Sequence, residues 1–285
     1  MAVTSLEFRS IIYGLLPQRT LSRLGGWMAR RRCGPLTKLF IHWFIRHYRV
    51  RLNEAARAAV RDYSSFGDFF TRRLREGART WPTSPNTLGS PVDGVVSQLD
   101  RIAEGRLIQA KGIDYPLADL LGADPAPYLG GSFTTLYLRP QDYHRVHVPA
   151  DGQLRSIRHL PGRLWPVRPW AVAGVPGLFS RNERVVMEFS GKAGPWALVM
   201  VGAMMVGSME TVVTGPIRGG RGGEPTRWNF EATACEFRRG DEIGRFNFGS
   251  TVILVFGPGQ ITWNLQRLAP GQEIRLGQPL GQFDD

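Results

Sequence analysis

Cysteine is nearly absent: the 285 residues contain two, Cys33 and Cys235, far apart and in no paired spacing. That excludes a disulfide framework or a zinc ribbon and fits a reducing compartment. Long apolar runs are missing as well. Nothing approaches the roughly 20 apolar residues of a membrane-spanning helix; the longest run, Trp196–Gly207, follows Pro195, is broken by Gly202 and reads as buried strand. The opening residues lack the uninterrupted core of a secretory leader, because Glu7 and Arg9 break it up and Ile11–Leu16 is short. These gaps predict a cytoplasmic protein that meets any membrane from its surface. Acid is scarce at one end only. Residues 1–51 hold ten basic residues and a single acid, Glu7, for +9; the remainder holds 26 basic and 23 acidic residues, for +3, within a total of +12. Such an excess points to nucleic acid, an anionic membrane or an acidic ligand. A nucleic-acid binder would spread the charge over one face or carry a recognisable module, and this chain does neither.

What is present is ample material for a core, at 42% hydrophobic and 11% aromatic residues, enough for one large domain or one plus an appendage. Helical spacing appears at the start: Ser5–Leu16, Thr20–Arg32 and Leu36–Val50, then a helical region over Asn53–Arg79 with Phe66, Phe69 and Phe70 as a docking cluster. In Leu36–Val50, the residues Leu36, Leu39, Phe40, Trp43 and Phe44 share a stripe, with Lys38, His42, Arg46 and Arg49 on the remainder. Aromatics opposite basic residues is the make-up of a helix lying in a headgroup plane, although a helix docked on its own domain has the same pattern. Beyond about residue 85, Gly and Pro punctuate short apolar runs: Gly94–Leu99, Thr134–Leu138, Arg184–Phe189, Ala197–Val201, Thr211–Val213 and Thr251–Phe256. This predicts an α+β protein, with amphipathic helices followed by a mainly antiparallel β domain of sandwich or barrel-like form. Pro91-Val-Asp-Gly94 and Pro149-Ala-Asp-Gly152 form a weak repeat that turn chemistry alone explains.

Three places carry chemistry. Asp93 stands at a strand entrance, His144 and His147 lie in Asp142-Tyr-His-Arg-Val-His147, and Ser250 follows Gly249 at the head of an apolar strand. Individually these are a turn aspartate, two surface histidines and a strand start; a zinc site would need carboxylates that the sequence does not single out. Residues three apart on a strand face opposite ways, so His144 and His147 converge only if the chain turns near Tyr143, as Pro140 and Asp142 allow. Together they supply the Asp, His and Ser of a nucleophilic triad. There is no Gly-x-Ser-x-Gly elbow, but a serine hydrolase using Asp93, His147 and Ser250 in an uncut chain stays open.

Six segments in order then resemble the bacterial, pyruvoyl-dependent phosphatidylserine decarboxylase proenzymes. They are Ser65-Phe-Gly-Asp-Phe-Phe-Thr-Arg-Arg-Leu74, Ser90-Pro-Val-Asp-Gly94, Asp142–His147, Leu178-Phe-Ser-Arg-Asn-Glu-Arg184, Gly202-Ala-Met-Met-Val-Gly-Ser208 and Phe248-Gly-Ser-Thr251. Phe248 replaces the Leu that many relatives carry, keeping a bulky apolar residue. The resemblance implies self-cleavage between Gly249 and Ser250, with Ser250 attacking the Gly249 carbonyl, His147 as base and Asp93 orienting the imidazole. Residues 1–249 would become a β chain and 250–285 an α chain that remain associated as a heterodimer, with a homodimer also open. Ser250 would become the pyruvoyl group, the sole cofactor, and form a Schiff base with phosphatidylserine; His144 is the candidate proton donor, and Arg181, Asn182 and Glu183 are candidates for the headgroup pocket. Residues 1–60 would be the basic, membrane-associating helices of an enzyme bound peripherally to the cytoplasmic side of an anionic membrane, and 61–285 the catalytic domain, with no metal and no nucleic-acid partner. Relatives acting on other serine phospholipids, such as archaeal ether lipids, are the narrower alternative.

Overall fold

The apolar run at 251–256 becomes the middle of the molecule. The computed structural model describes residues 13, 17–204, 209–217, 223–230, 235–247, 250–266 and 268–284, without the side chains of 19, 23 and 250. Nine strands form its main sheet: β1 (Gly94–Arg101), β2 (Ser132–Leu138), β3 (Gly152–Leu160), β4 (Arg184–Gly191), β5 (Gly194–Gly202), β6 (Thr226–Asn229), β7 (Glu236–Phe237), β8 (Ser250–Phe256) and β9 (Glu273–Ile274). They lie in the order β6–β3–β4–β5–β8–β2–β1–β9, with β7 also on β3, and every pairing is antiparallel.

The β-branched residues of β8 suit a strand covered on both sides. Successive side chains point to opposite faces, so Val252, Leu254 and Phe256 enter one core while Ile253 and Val255 enter another, all fully buried. On the first face lie two smaller sheets, one of Thr87–Gly89, Pro279–Phe283 and Ile261–Trp263, the other of Gly215–Pro216, Met209–Thr211, Glu242–Phe246 and Arg145–His147. The second face is covered by the hairpin Arg106–Ala110/Ile113–Pro116 and the short helices Leu117–Leu121, Pro169–Gly174 and Leu178–Arg181. The layers are those of an α+β protein, and the strands do not close into a barrel. Both halves of the weak repeat lead into strands, at Gly94 and Gly152. The segment read as Thr211–Val213 ends as a strand at Thr211 and turns there.

The expected helix over 5–16 lies outside the described residues except for Tyr13. The next two form as α1 (Gln18–Arg30) and α2 (Pro35–Tyr48), α2 starting on Pro35 after Gly34 at φ 54°. Thr37, Ile41 and Phe44 of α2 turn inward, and the two apolar ones join Val50, Val60, Tyr63, Phe66, Phe69 and Phe70 in a third core. The apolar stripe is therefore divided: Phe44 is buried, but Leu36, Leu39, Phe40 and Trp43 stay 46–71% exposed. Leu24, Trp27 and Met28 of α1 are exposed too. Lys38 is not on the outer face with the other basic residues; its ammonium donates to the carbonyls of Val60, Arg61 and Tyr63.

The helical region expected over 53–79 forms only in short pieces. The chain makes two single 3-10 turns, Leu52–Glu54 and Val60–Asp62, and a five-residue helix α3 (Phe66–Phe70) capped by Ser65. Residues 54–56 instead run back along 73–75, with Ala56 N donating to Arg73 O at 2.8 Å and Arg75 N to Glu54 O at 2.9 Å. Burying three phenylalanines beneath α2 outweighs local helix preference. No helix among the described residues is long and apolar enough to cross a membrane.

Candidate active site

Ser250 is the first residue of β8. Its neighbours across the sheet are Leu138 at the end of β2 and Gly202 at the end of β5. Phe248, Gly249 and the Ser250 side chain lie outside the described residues. Beyond β2 comes β1, with Val95 opposite Tyr137 as Thr251 is on the other side. A Cβ at Gly94 would collide with the Tyr137 carbonyl oxygen, so only glycine lets the turn carrying Asp93 lie so close to β2. The Asp93 turn thus stands two strand spacings from Ser250, roughly 10 Å.

The histidine motif follows a turn, as Pro140 and Asp142 led us to expect. The Asp142 carboxylate accepts from Arg139 N at 2.8 Å, closing the turn, and the strand begins only at Arg145. Arg145 Nη1 holds both oxygens of Glu242, at 2.8 and 2.9 Å, which pins this strand to its neighbour. His147 N donates to Pro91 O at 2.9 Å, bringing the motif beside the Asp93 turn.

The two imidazoles have different surroundings. His147 Nδ1 lies 2.7 Å from the Gly240 carbonyl and Nε2 3.1 Å from the Tyr143 hydroxyl. A carbonyl only accepts, so Nδ1 carries the proton and Nε2 accepts from the phenol. Burial lowers the His147 pKa against the opposing Gly240 hydrogen bond, so the neutral ring is favoured. His144 Nδ1 donates to Asp142 O at 2.8 Å; its ring packs 4.1 Å from Phe70, centroid to centroid. Its buried Nε2 has no partner among the described residues. Burial, assisted by the Arg72 charge, pushes the His144 pKa down to about 3.

Asp93 and His147 are neighbours through the Pro91 carbonyl but do not hydrogen-bond to each other. Asp93 Oδ1 accepts from Arg79 Nε at 3.0 Å and from Leu276 N at 2.8 Å, and Oδ2 pairs with Arg79 Nη2. A forked guanidinium is a stronger partner for a buried carboxylate than a neutral imidazole. Burial would lower the Arg79 pKa, but hydrogen bonds and charge from Asp93 and Glu54 raise it. Arg79, Tyr143 and the Gly240 carbonyl are thus the site groups that reading the sequence missed. Tyr143 lay inside the histidine motif; a backbone carbonyl has no sequence signal at all.

Of the three headgroup candidates, Asn182 is a buried staple, its amide joining Trp165 N, Trp165 O and Gly202 O at 2.9 Å each. Glu183 pairs with His159 at 2.8 Å. Among the described residues the exposed Arg181 guanidinium reaches only the Pro176 carbonyl, at 3.3 Å. A cavity of about 450 Å³ opens beside the site instead, bordered by Asp93, Tyr143, Arg72 and Arg79.

Comparison with known proteins gives the family. The family described as phosphatidylserine decarboxylase matches residues 66–282, and one described as PSD matches residues 10–49. A phosphatidylserine decarboxylase proenzyme of Nitrosococcus oceani is 48% identical over 278 residues, 96% of this chain and 90% of that protein. One of Pseudomonas fluorescens is 46% identical over 272 residues, 94% of each chain, and one of Pseudoalteromonas translucida 41% over 285 residues, 98% of this chain and 99% of that protein.

Proposed function

Because the chain belongs to the phosphatidylserine decarboxylase family, we propose that it converts phosphatidylserine to phosphatidylethanolamine and CO2 after cutting itself between Gly249 and Ser250. The observation that carries this reading is the place of Ser250, at the very first position of the central strand. A cut there leaves every pairing of β8 with β2 and β5 intact and puts the new chain end at the edge of the site.

For cleavage, the Ser250 hydroxyl attacks the Gly249 carbonyl and His147 Nε2 takes its proton. The Gly240 carbonyl holds Nδ1 while Glu242 and Asp241 favour the charged ring, and Asp93, fixed by Arg79, positions the turn whose Pro91 carbonyl anchors the His147 backbone. The acyl shift gives an ester; elimination releases residues 1–249, and water then displaces ammonia from residue 250. The pyruvoyl group so made would supply a carbonyl for the substrate amine to condense with, losing water, and an electron sink for the loss of CO2. His144 returns a proton to the former α-carbon. An anionic headgroup beside the ring opposes the burial and the Arg72 charge that otherwise keep it neutral. Residues 250–285 stay bound because β8 is buried on both faces.

The exposed Leu36, Leu39, Phe40 and Trp43, with Trp27 and its overlying Arg31 (4.1 Å), support peripheral attachment to an anionic bilayer. Intact-mass measurement of active protein under denaturing conditions tests the whole reading. We expect two chains, 1–249 and 250–285, eluting together without denaturant, and a single inactive chain for Ser250→Ala. One unbroken chain in active material would reject self-cleavage and favour the serine hydrolase.

A further inference from the structure

The cavity beside the site is lined by six arginines, Arg49, Arg51, Arg72, Arg79, Arg139 and Arg275, and only four carboxylates. Those carboxylates are already engaged. Asp93 holds Arg79, while Asp142 and Glu273 both hold Arg139. Glu54 alone faces three guanidiniums, Arg79 at 2.7 Å, Arg275 at 3.4 Å and Arg51 at 3.9 Å. That leaves two, the exposed Arg49 and the buried Arg72; Arg72 is 4% exposed and pairs with no carboxylate among the described residues. Its Nη2 donates to the carbonyls of Gln141 and Asp142 at 2.8 and 3.2 Å, but Nη1 has no acceptor among the described residues.

The buried Arg184 looks different. Arg184 spends Nε, Nη1 and Nη2 on the carbonyls of Leu120, Asn182 and Asp119. A guanidinium stays charged at any working pH, and a buried charge with an idle N–H is costly unless an anion meets it. Arg72 is also tied to the reacting region, since the Asp142 carbonyl that accepts its Nη2 accepts from His144 Nδ1 as well.

We propose that this cavity is an anion subsite in which Arg72 Nη1 is the innermost donor, taking an anionic oxygen of the phospholipid headgroup, while Arg51 and Arg275 at the rim supply attraction. The forked geometry of guanidinium suits a phosphodiester and a carboxylate equally, and a serine phospholipid carries both. The inference rests on the decarboxylase reading and names how that substrate is held.

The test uses the full-length Ser250→Ala chain, in which nothing turns over, titrated calorimetrically at low salt with three soluble probes: glycerophosphoserine, glycerophosphoethanolamine and serine. Glycerophosphoserine should bind, and Arg72→Gln in the same background should weaken it on the order of tenfold or more, as expected for a hydrogen bond to a charged group. An equal loss for glycerophosphoethanolamine assigns Nη1 to the phosphodiester; a loss confined to the two serine-bearing probes assigns it to the carboxylate. Unchanged binding of all three by Arg72→Gln, or no binding of any by the parent, overturns the proposal. If melting shows Arg72→Gln to be misfolded, the half-exposed pair Arg51→Gln/Arg275→Gln decides, with a several-fold loss expected and unchanged affinity overturning it. The decarboxylase reading fails separately, on the mass and turnover of the wild-type chain, which these titrations do not involve.

Discussion

His144 shows how a single buried side chain couples folding to pH. Its folded pKa of about 3 lies below the ordinary value of 6.5, so below pH 6.5 the unfolded chain takes up a proton that the folded ring refuses. The stability involved is complete above pH 6.5 and is lost as the pH falls towards 3, at about 1.4 kcal/mol per pH unit. His147, also held below its ordinary value by burial, adds in the same direction. Urea midpoints of the uncut Ser250→Ala chain should therefore drop between pH 7.5 and 5.5, and His144→Gln should flatten that slope. Equal slopes for the two chains would mean that the ring titrates normally. Asp93, His144 and His147 were legible in the sequence because their motifs are local. The groups that hold them were not: Arg79 is 14 positions from Asp93, and Gly240, which fixes the His147 tautomer, is 93 positions away and offers only its backbone.

Among the elements, α2 was legible in outline but not in orientation, which the sequence left open. Its period gave a helix to within two residues, but a period does not say which half of a wide apolar surface faces inward. Ile41 and Phe44 were claimed by Phe66, Phe69 and Phe70 from a segment read as helix and found mostly unwound. The nine-residue β3 was caught only as a short strand-like run after Gly152, because Arg155, Arg158 and His159 hide its alternation; Arg158 pairs with Glu188 at 2.8 Å and His159 with Glu183. The arrangement of α2 also decides how membrane attachment is to be tested. Deleting residues 1–50 would uncover the phenylalanines of the third core and confuse anchor with fold. Leu39→Ser with Trp43→Ser alters only exposed side chains, whose substitution usually changes stability by no more than about 0.5 kcal/mol. We expect the double variant to melt close to the parent while its co-sedimentation with phosphatidylglycerol-containing vesicles falls roughly tenfold or more, since a buried large apolar side chain contributes about 1.5–3 kcal/mol. Undiminished sedimentation would place the anchor elsewhere.

For the whole molecule, the charge asymmetry and the change from helical to strand-like texture were both plain from the sequence, and they correspond to the α1–α2 end and the layered sheets. The strand order was not, because β8 reaches its place only by pairing with β2 and β5, at least 48 residues back along the chain. If the chain is cut as proposed, that central position gives maturation a direction in time. The sheet has to close around β8 before the peptide ahead of it is cut, since only then is the short piece caught. While the chain is whole, closing the sheet is a loop closure within one molecule, whose cost grows slowly with length. After the cut, the same closure is an encounter between two molecules. Diluting denatured material should therefore leave the refolding yield of Ser250→Ala unchanged and steadily lower that of the cut enzyme, and equal yields at all dilutions would contradict this. Assembly of a cut enzyme would thus be one-way: the intact chain would act as its own template, and the proposed cleavage would remove that template once it had served.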